Sequence, residues 1–232
     1  MNAVFATGRN EVQRTLRRRM AITYNDLFLD IRRELKQGGV IDTTLEAREL
    51  TCFGVNKTRE ELTRDGRLYA PPELERRVRE LTARHLAGEP VAYLIGEWEF
   101  YGLPLDISRD VLIPRADTET LVDCALPFLR QNPGSRVLDL CAGTGCLGIG
   151  IRHFVPSASV TCVEKSPQAL QYLQANVHGT GVQAKAADVL QYWRELMPQS
   201  VQLIISNPPY LTGAEMQALM PETAHEPAMA LD

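Results

Sequence analysis

From residue 136 to residue 206, short apolar runs alternate with helical stretches. That alternation limits the fold more than any other feature of the chain. Residues 136–140, 159–163, 182–186 and 201–206 read as strands, the third weaker than the rest and the fourth strongly apolar. A glycine-rich turn and a helix follow the first run, and a helix over 167–177 follows the second. Strands separated by helices predict a doubly wound, parallel α/β sheet, because parallel neighbours need long crossover connections. Ligands of such sheets bind beyond the carboxyl ends of the strands, so the turns there are the first places to look for chemistry.

The turn after the first run carries Asp139, Cys141, Ala142, Gly143, Thr144 and Gly145. Glycines let a backbone approach a ligand where a Cβ would collide, and the following helix offers unpaired N–H groups. Gly143, Gly145 and Gly148 also fit the G-x-G-x-x-G spacing of dinucleotide sites, which keeps an NAD-dependent oxidoreductase as a competing reading. Against it, Asp139 at the strand's end would repel a pyrophosphate. A carboxylate there suits a cationic ligand, such as a sulfonium that also bears an ammonium group. Glu164 lies 25 residues further on, where an acid accepts from both hydroxyls of a ribose under either reading. Lys165 beside it belongs to the same candidate site. Asp188, after the third run, serves equally well as an acceptor for an adenine amino group or as a helix cap.

Asn207-Pro208-Pro209-Tyr210 follows the fourth run and separates the readings. Two prolines fix the backbone and remove two donors, leaving their carbonyls free to accept. A planar NH2 group can donate one hydrogen bond to the Asn207 side chain and one to the Pro208 carbonyl. That would align its lone pair with the methyl of a sulfonium donor. Tyr210 can stack on a flat substrate. Asn207 also lies close enough in the motif to count among the donor-binding residues. A plain turn explains the prolines without explaining the tetrad at a sheet's carboxyl edge.

The first part of the chain is different. Tyr24, Leu27, Phe28, Ile31 and Leu35 draw one helical stripe that Gly38-Gly39 ends. Asp42 or Thr43 caps a second helix with Leu45, Leu50 and Phe53 facing inward, and Thr58 with Glu61 forms a capping-box pattern. Pro71-Pro72 opens a charged helix whose inward face is Leu74, Val78, Leu81 and Leu86. Residues 20–89 therefore predict a small helical domain. Gly88-Glu89-Pro90 breaks it, and a β-hairpin linker follows over 90–116, with extended runs at 97–101 and 105–107 around Gly102-Leu103-Pro104. The α/β domain would occupy 117–232, its first helix capped by Asp117 or Thr118. Residues 1–19, with Arg14, Arg17, Arg18 and Arg19, read as a tail unlike the rest.

Composition narrows the classes. A formal charge of −4 provides no global field for nucleic acid. The 5 cysteines are widely spaced without a Cys-x-x-Cys, which argues against disulfides and structural zinc and for mostly buried thiols in a reducing cytosol. No apolar run reaches the length of a membrane span.

The tetrad and the 139–145 loop together resemble class I methyltransferases of planar nitrogens, including N6-adenine DNA and protein-glutamine enzymes. Gly88-Glu89-Pro90-Val91-Ala92-Tyr93-Leu94, Phe100-Tyr101-Gly102 and Ile113-Pro114-Arg115-Ala116-Asp117-Thr118-Glu119 sharpen the likeness. Over about residues 20–232 the chain is similar to the HemK/PrmC family, the glutamine N5-methyltransferases of peptide-chain release factors. The resemblance implies an N-terminal helical domain that grips the release factor, and a Rossmann-like domain that binds S-adenosylmethionine. It also implies that Asn207–Tyr210 hold the glutamine of a Gly-Gly-Gln loop and that Arg115 helps frame the donor or substrate pocket, counted among the donor-binding residues. A monomer in the cytoplasm is expected, with no membrane or direct nucleic-acid partner. The related family acting on a ribosomal protein shares the tetrad and ranks second. An N6-adenine nucleic-acid methyltransferase and a non-catalytic release-factor-binding fragment are competing readings. Family members continue for several strands past the Glu-Pro-x-x-Ala-Leu segment at 226–231. The four strands here, of an expected seven, would leave the run at 201–206 as an exposed apolar edge.

Overall fold

The computed structural model describes residues 21–212 and 225–231. The arginine-rich stretch at 14–19 lies outside the described residues. The described residues divide into two compact units, with the boundary between Ala87 and Gly88.

Among the described residues the first unit holds four helices: α1 (Tyr24–Gln37), α2 (Thr43–Val55), α3 (Arg59–Arg64) and α4 (Pro72–Leu86). Local chemistry fixes their starts. Thr23 and Asp42 cap α1 and α2, and Thr58 with Glu61 makes a complete capping box at α3. The stripe of α1 buries Tyr24, Leu27, Ile31 and Leu35, while Phe28 is half-buried with Arg32 and Arg48 guanidinium groups at 6.0 Å from its ring. The inward faces of the next helices differ from the leucine stripes expected. Leu45 and Leu86 are exposed, and α2 instead buries Ala47, Leu50, Thr51, Cys52, Gly54 and Val55. The reason is close approach: a Cβ on Gly54 would lie 3.1 Å from the Val78 Cα of α4, so only small residues fit between the axes. On α4 the buried set is Val78, Leu81, Thr82 and His85. Each polar member has a partner: the Thr82 hydroxyl donates to the Val78 carbonyl at 2.9 Å, and His85 meets Glu46 of α2 at 2.9 Å.

The second unit opens with a short helix, α5 (Val91–Ile95), where Gly88-Glu89-Pro90 indicated only a break. A hairpin follows, β1 (Glu97–Phe100) and β2 (Leu103–Asp106). Its turn is the pair Tyr101-Gly102, with φ of 52° and 70°, so Leu103 and Pro104 lie in β2 and not in the turn. Phe100 and Leu105 of the hairpin belong to the core of this unit. Helix α6 (Ala116–Gln131) starts directly behind Arg115, earlier than the capping pattern suggests, so Asp117 and Thr118 lie inside its first turn and neither caps it.

The sheet consists of β3 (Arg136–Leu140), β4 (Ser159–Glu164), β5 (Gln183–Ala186) and β6 (Leu203–Ser206), all parallel, in the order β5-β4-β3-β6. Between the strands run α7 (Cys146–Phe154), α8 (Pro167–Val177) and the short α9 (Val189–Tyr192). The chain winds outward from β3 to β5, then returns to place β6 on the other side of β3. The winding reverses between β3 and β6, and that switch point is where such sheets open a crevice. Among the described residues β6 pairs on one side only, and its Ile204 is 58% exposed while Ile205 is buried.

Helix α7 lies hard against β3 and β4. A Cβ on Gly148 would overlap Cys162 Sγ and stand 3.2 Å from Val160 Cγ1. Gly148→Ala should therefore destabilise the fold by about 1–3 kcal/mol despite its better helix propensity. Denaturant unfolding checks this, and Gly148→Ala combined with Cys162→Ala should recover part of the loss. Wild-type stability in the single variant would mean that helix and sheet are not in contact here.

Candidate functional site

Register sets the site. Leu140 of β3 pairs with both Val163 of β4 and Ser206 of β6, and Glu164 pairs with Ala186 of β5. The turns that begin at Cys141, Lys165, Ala187 and Asn207 therefore leave the sheet at one level, side by side. The Ser206 hydroxyl donates to the Leu140 carbonyl at 2.7 Å and ties the two central turns together.

The loop after β3 is sharply curled. Cys141, Gly143 and Gly145 have φ of 58°, 53° and 82°. A side chain at Gly143 would have open space yet a strained backbone, so glycine is needed there for conformation. Gly145 is the N-cap of α7, without a side-chain cap. Two carboxylates brace the loop from the protein side. Glu164 accepts from Gly143 N at 2.8 Å, from Lys165 N at 2.8 Å and from Ser166 N at 2.7 Å. Asp139, 1% exposed, accepts through Oδ2 from Gly148 N at 3.0 Å and from the Cys162 thiol at 3.5 Å. Its other oxygen, Oδ1, is buried and has no hydrogen-bond partner. Burial pushes the Asp139 carboxyl up to about 7, against the opposing pull of the Gly148 N–H. A third brace is not visible in the sequence. Asn176 of α8 donates to the Thr144 carbonyl at 3.0 Å and exchanges hydrogen bonds with the backbone of Asp106 at the end of β2.

These contacts refine the roles read from the sequence, in which both acids face the ligand. Each spends acceptor capacity on backbone N–H groups first, because a tight glycine turn leaves donors that only a carboxylate can reach. Of the two roles open to Asp188, the helix cap is present: it caps α9 through Leu190 N at 3.0 Å and pairs with Lys165 at 3.0 Å, and the lysine holds its carboxyl below the usual range. The cysteines are not mostly buried: Cys52 and Cys162 are, whereas Cys141 and Cys146 are intermediate and Cys124 is exposed.

In the tetrad after β6, Asn207 and Pro209 are half-buried, while Pro208 is exposed and Tyr210 is 76% exposed. Tyr210 N and Leu211 N both donate to the Leu231 carbonyl, at 3.2 and 2.8 Å. Arg115 forms an ion pair with the carboxylate of Glu226, whose side chain is almost wholly buried. Tyr93 donates to the Val111 carbonyl at 2.7 Å, and its phenol is raised by burial and then by the charge of Glu226. Glu226 and Tyr93 stand in segments that carry the family resemblance, but the sequence assigns neither of them a role in this region. Their signal is a pairing across the chain, which a linear reading does not contain. No group of acidic, histidine or cysteine side chains among the described residues forms a metal site.

A parallel sheet that reverses beside its first strand, with a glycine loop there, an acid after the next strand and Asn-Pro-Pro-Tyr across the switch point, defines a class I methyltransferase that uses S-adenosylmethionine. Comparison with known proteins agrees. Residues 118–230 match the methyltransferase small domain, and residues 26–96 match the PrmC N-terminal domain. A release factor glutamine methyltransferase of Bordetella pertussis is 38% identical over 81% of this chain and 69% of its own length. Those of Cereibacter sphaeroides and Deinococcus radiodurans are 34% and 35% identical, over 85% and 89% of this chain and 70% and 73% of theirs. The chain belongs to the release factor glutamine methyltransferase family.

Removing the brace under the loop gives a direct test of its role. Glu164→Ala leaves three backbone donors without their acceptor, which should lower stability by about 1–3 kcal/mol. Denaturant unfolding measures the loss, and Glu164→Gln should lose less. A Glu164→Ala protein of unchanged stability would show that these hydrogen bonds hold nothing in place.

Proposed function

We propose that this protein transfers a methyl group from S-adenosylmethionine to the side-chain amide nitrogen of the glutamine in a Gly-Gly-Gln loop of a peptide-chain release factor. The observation that carries the reading is the placement of the Asn207–Tyr210 turn beside the 139–145 loop, with Leu140 and Ser206 in register. The residues present suit the donor. The buried, partnerless Oδ1 of Asp139 is the kind of acceptor that an ammonium group satisfies, and the space beside Gly143 admits a ligand next to bare backbone. Cys141, Ala142, Thr144 and Gly145 line the same curl. Glu164 keeps acceptor capacity for ribose hydroxyls beyond its three backbone bonds. The Lys165–Asp188 pair closes the side where an adenine would lie.

S-adenosylmethionine, when bound, would supply an electrophilic methyl on a sulfonium: the S–CH3 bond breaks as the N–CH3 bond forms, S-adenosylhomocysteine is left, and one amide N–H proton passes to solvent. The chain's own work is orientation. An amide nitrogen is a poor nucleophile because its lone pair is delocalised into the carbonyl. Accepting both of its N–H bonds, at Asn207 and at the Pro208 carbonyl, would fix the plane of the amide and direct the nitrogen toward the methyl. Pro209 keeps that turn rigid, and the exposed ring of Tyr210 offers a stacking face. The helical unit, which supplies most of the stretch matched by the PrmC N-terminal domain, residues 26–96, would hold the release factor. No helix among the described residues is long and apolar enough to cross a membrane.

Asn207→Ala should cut methyl transfer to a release factor by a factor of roughly 10²–10⁴ while leaving donor affinity nearly unchanged. Radiolabelled transfer and calorimetry separate the two. Equal losses in both would end this division of labour, and label found on adenine in DNA instead of on glutamine would end the reading itself.

Donor binding should also depend on pH through Asp139. Its folded pKa of about 7 lies above the ordinary 3.8. For the ligand-free fold the sign follows directly. The buried acid favours the folded state at low pH, and that contribution is lost as pH rises through about 7. A cationic ligand group is attracted by the ionised form alone. Donor affinity should therefore climb with pH by up to about tenfold per unit below neutrality and level off above it. Asp139→Asn should bind about 1–3 kcal/mol more weakly at pH 8 and lose the slope. Identical pH profiles for the two proteins would remove Asp139 from the donor site.

A further inference from the structure

The turn that would seat the amide is poorly anchored by its own backbone. Pro208 and Pro209 have no N–H to donate, so the turn depends on what holds its two ends. One end is β6, joined to β3. The other is the pair of amides at Tyr210 and Leu211, both directed at the single carbonyl of Leu231. Leu231 closes a single 3-10 turn at Ala228–Ala230, directly after Glu226-Pro227. The Glu226 side chain is 1% exposed and reaches Arg115, 111 residues away in sequence. Arg115 is the N-cap residue of α6 and follows Ile113 and Pro114, of which Ile113 lies in the core of the unit. The hydroxyl of Tyr93 is fixed on Val111 of the same connection. A buried carboxylate held by an arginine on a rigid connection thus fixes the short segment whose last carbonyl holds the end of the tetrad.

We infer that Glu226 and Arg115 form a clamp that sets the position of the Asn207–Tyr210 turn, which makes both of them positioning residues for the methyl acceptor. The link to the acceptor rests on the function proposed above, but the clamp itself does not. Neither residue needs to touch the reacting atoms. If Glu226 loses its charge, the 226–231 segment loses its ion pair to the start of α6. The Leu231 carbonyl can then drift, and the tetrad loses the support at its Tyr210–Leu211 end.

Hydrogen exchange followed by mass spectrometry tests the clamp without any assay of activity. In Glu226→Gln and in Arg115→Gln, a peptide containing Tyr210 and Leu211 should exchange at least about tenfold faster, with strand β3 as protected as in the wild type. The charge-reversed pair R115E/E226R should restore part of the protection. Unchanged exchange at 210–211 in both single variants would overturn the clamp. So would faster exchange spread equally over β3, since the pair would then hold the unit as a whole. Kinetics adds the second arm. Both single variants should lower kcat for a release factor while the donor's Kd stays within about twofold. Loss of donor affinity in step with kcat would overturn the positioning role. A wild-type chain that methylates no glutamine would sink the proposed function while the exchange data still judge the clamp.

Discussion

Two carboxylates under one glycine turn are what the catalytic half depends on. Asp139 takes the Gly148 N–H in the first turn of α7 and Glu164 takes the Gly143 N–H in the middle of the loop, so the loop and the helix behind it are pinned from within the protein. Three residues of positive φ would otherwise make this the least determined part of the sheet's upper edge. The arrangement leaves the outer surface of the loop as bare backbone and leaves one oxygen of Asp139 without a partner. Under the proposed function, stability and donor binding would meet at the same groups, because the acids that hold the loop keep acceptor capacity that a cationic nucleoside could use.

The crevice itself comes from topology. Placing β6 beside β3 and on the far side from β4 brings the end of the fourth sheet strand next to the glycine loop. The two lie far apart in sequence, yet Ser206 and Leu140 are register partners joined by a side-chain hydrogen bond. The hairpin contributes indirectly. Its Phe100 packs near Gly150 of α7, and Asp106 is bound to Asn176, which in turn holds the Thr144 carbonyl of the loop.

The helical unit shows how polar groups can replace leucines in a small core. The close approach of α2 and α4 at Gly54 excludes large side chains there. Buried Thr82 and His85 are accommodated because each finds a partner on a neighbouring turn or helix. Arg79 gathers Glu75, Glu34 and Asp30 on the rim, where partial exposure limits what these pairs add.

The sequence alone determined the order and kind of elements where periodicity and local caps are strong. The strand at 136–140, the helix at 167–177, the Thr58–Glu61 box and the tetrad after the last strand are all legible, because each depends on neighbours within a few residues. Contacts across the chain decided the rest. That Leu86 is exposed while His85 is buried follows from where α2 lies and not from any stripe on α4. That Tyr101-Gly102 and not Gly102-Leu103-Pro104 makes the hairpin turn follows from pairing register. That Asp188 is a cap and ion-pair partner, and that Glu226 meets Arg115, follows from which loops the sheet brings to one edge. A residue's type and local spacing limit the chemistry it can do, whereas only the tertiary fold supplies the partner that selects one role, because partner and residue are distant in sequence and meet only when the sheet has formed.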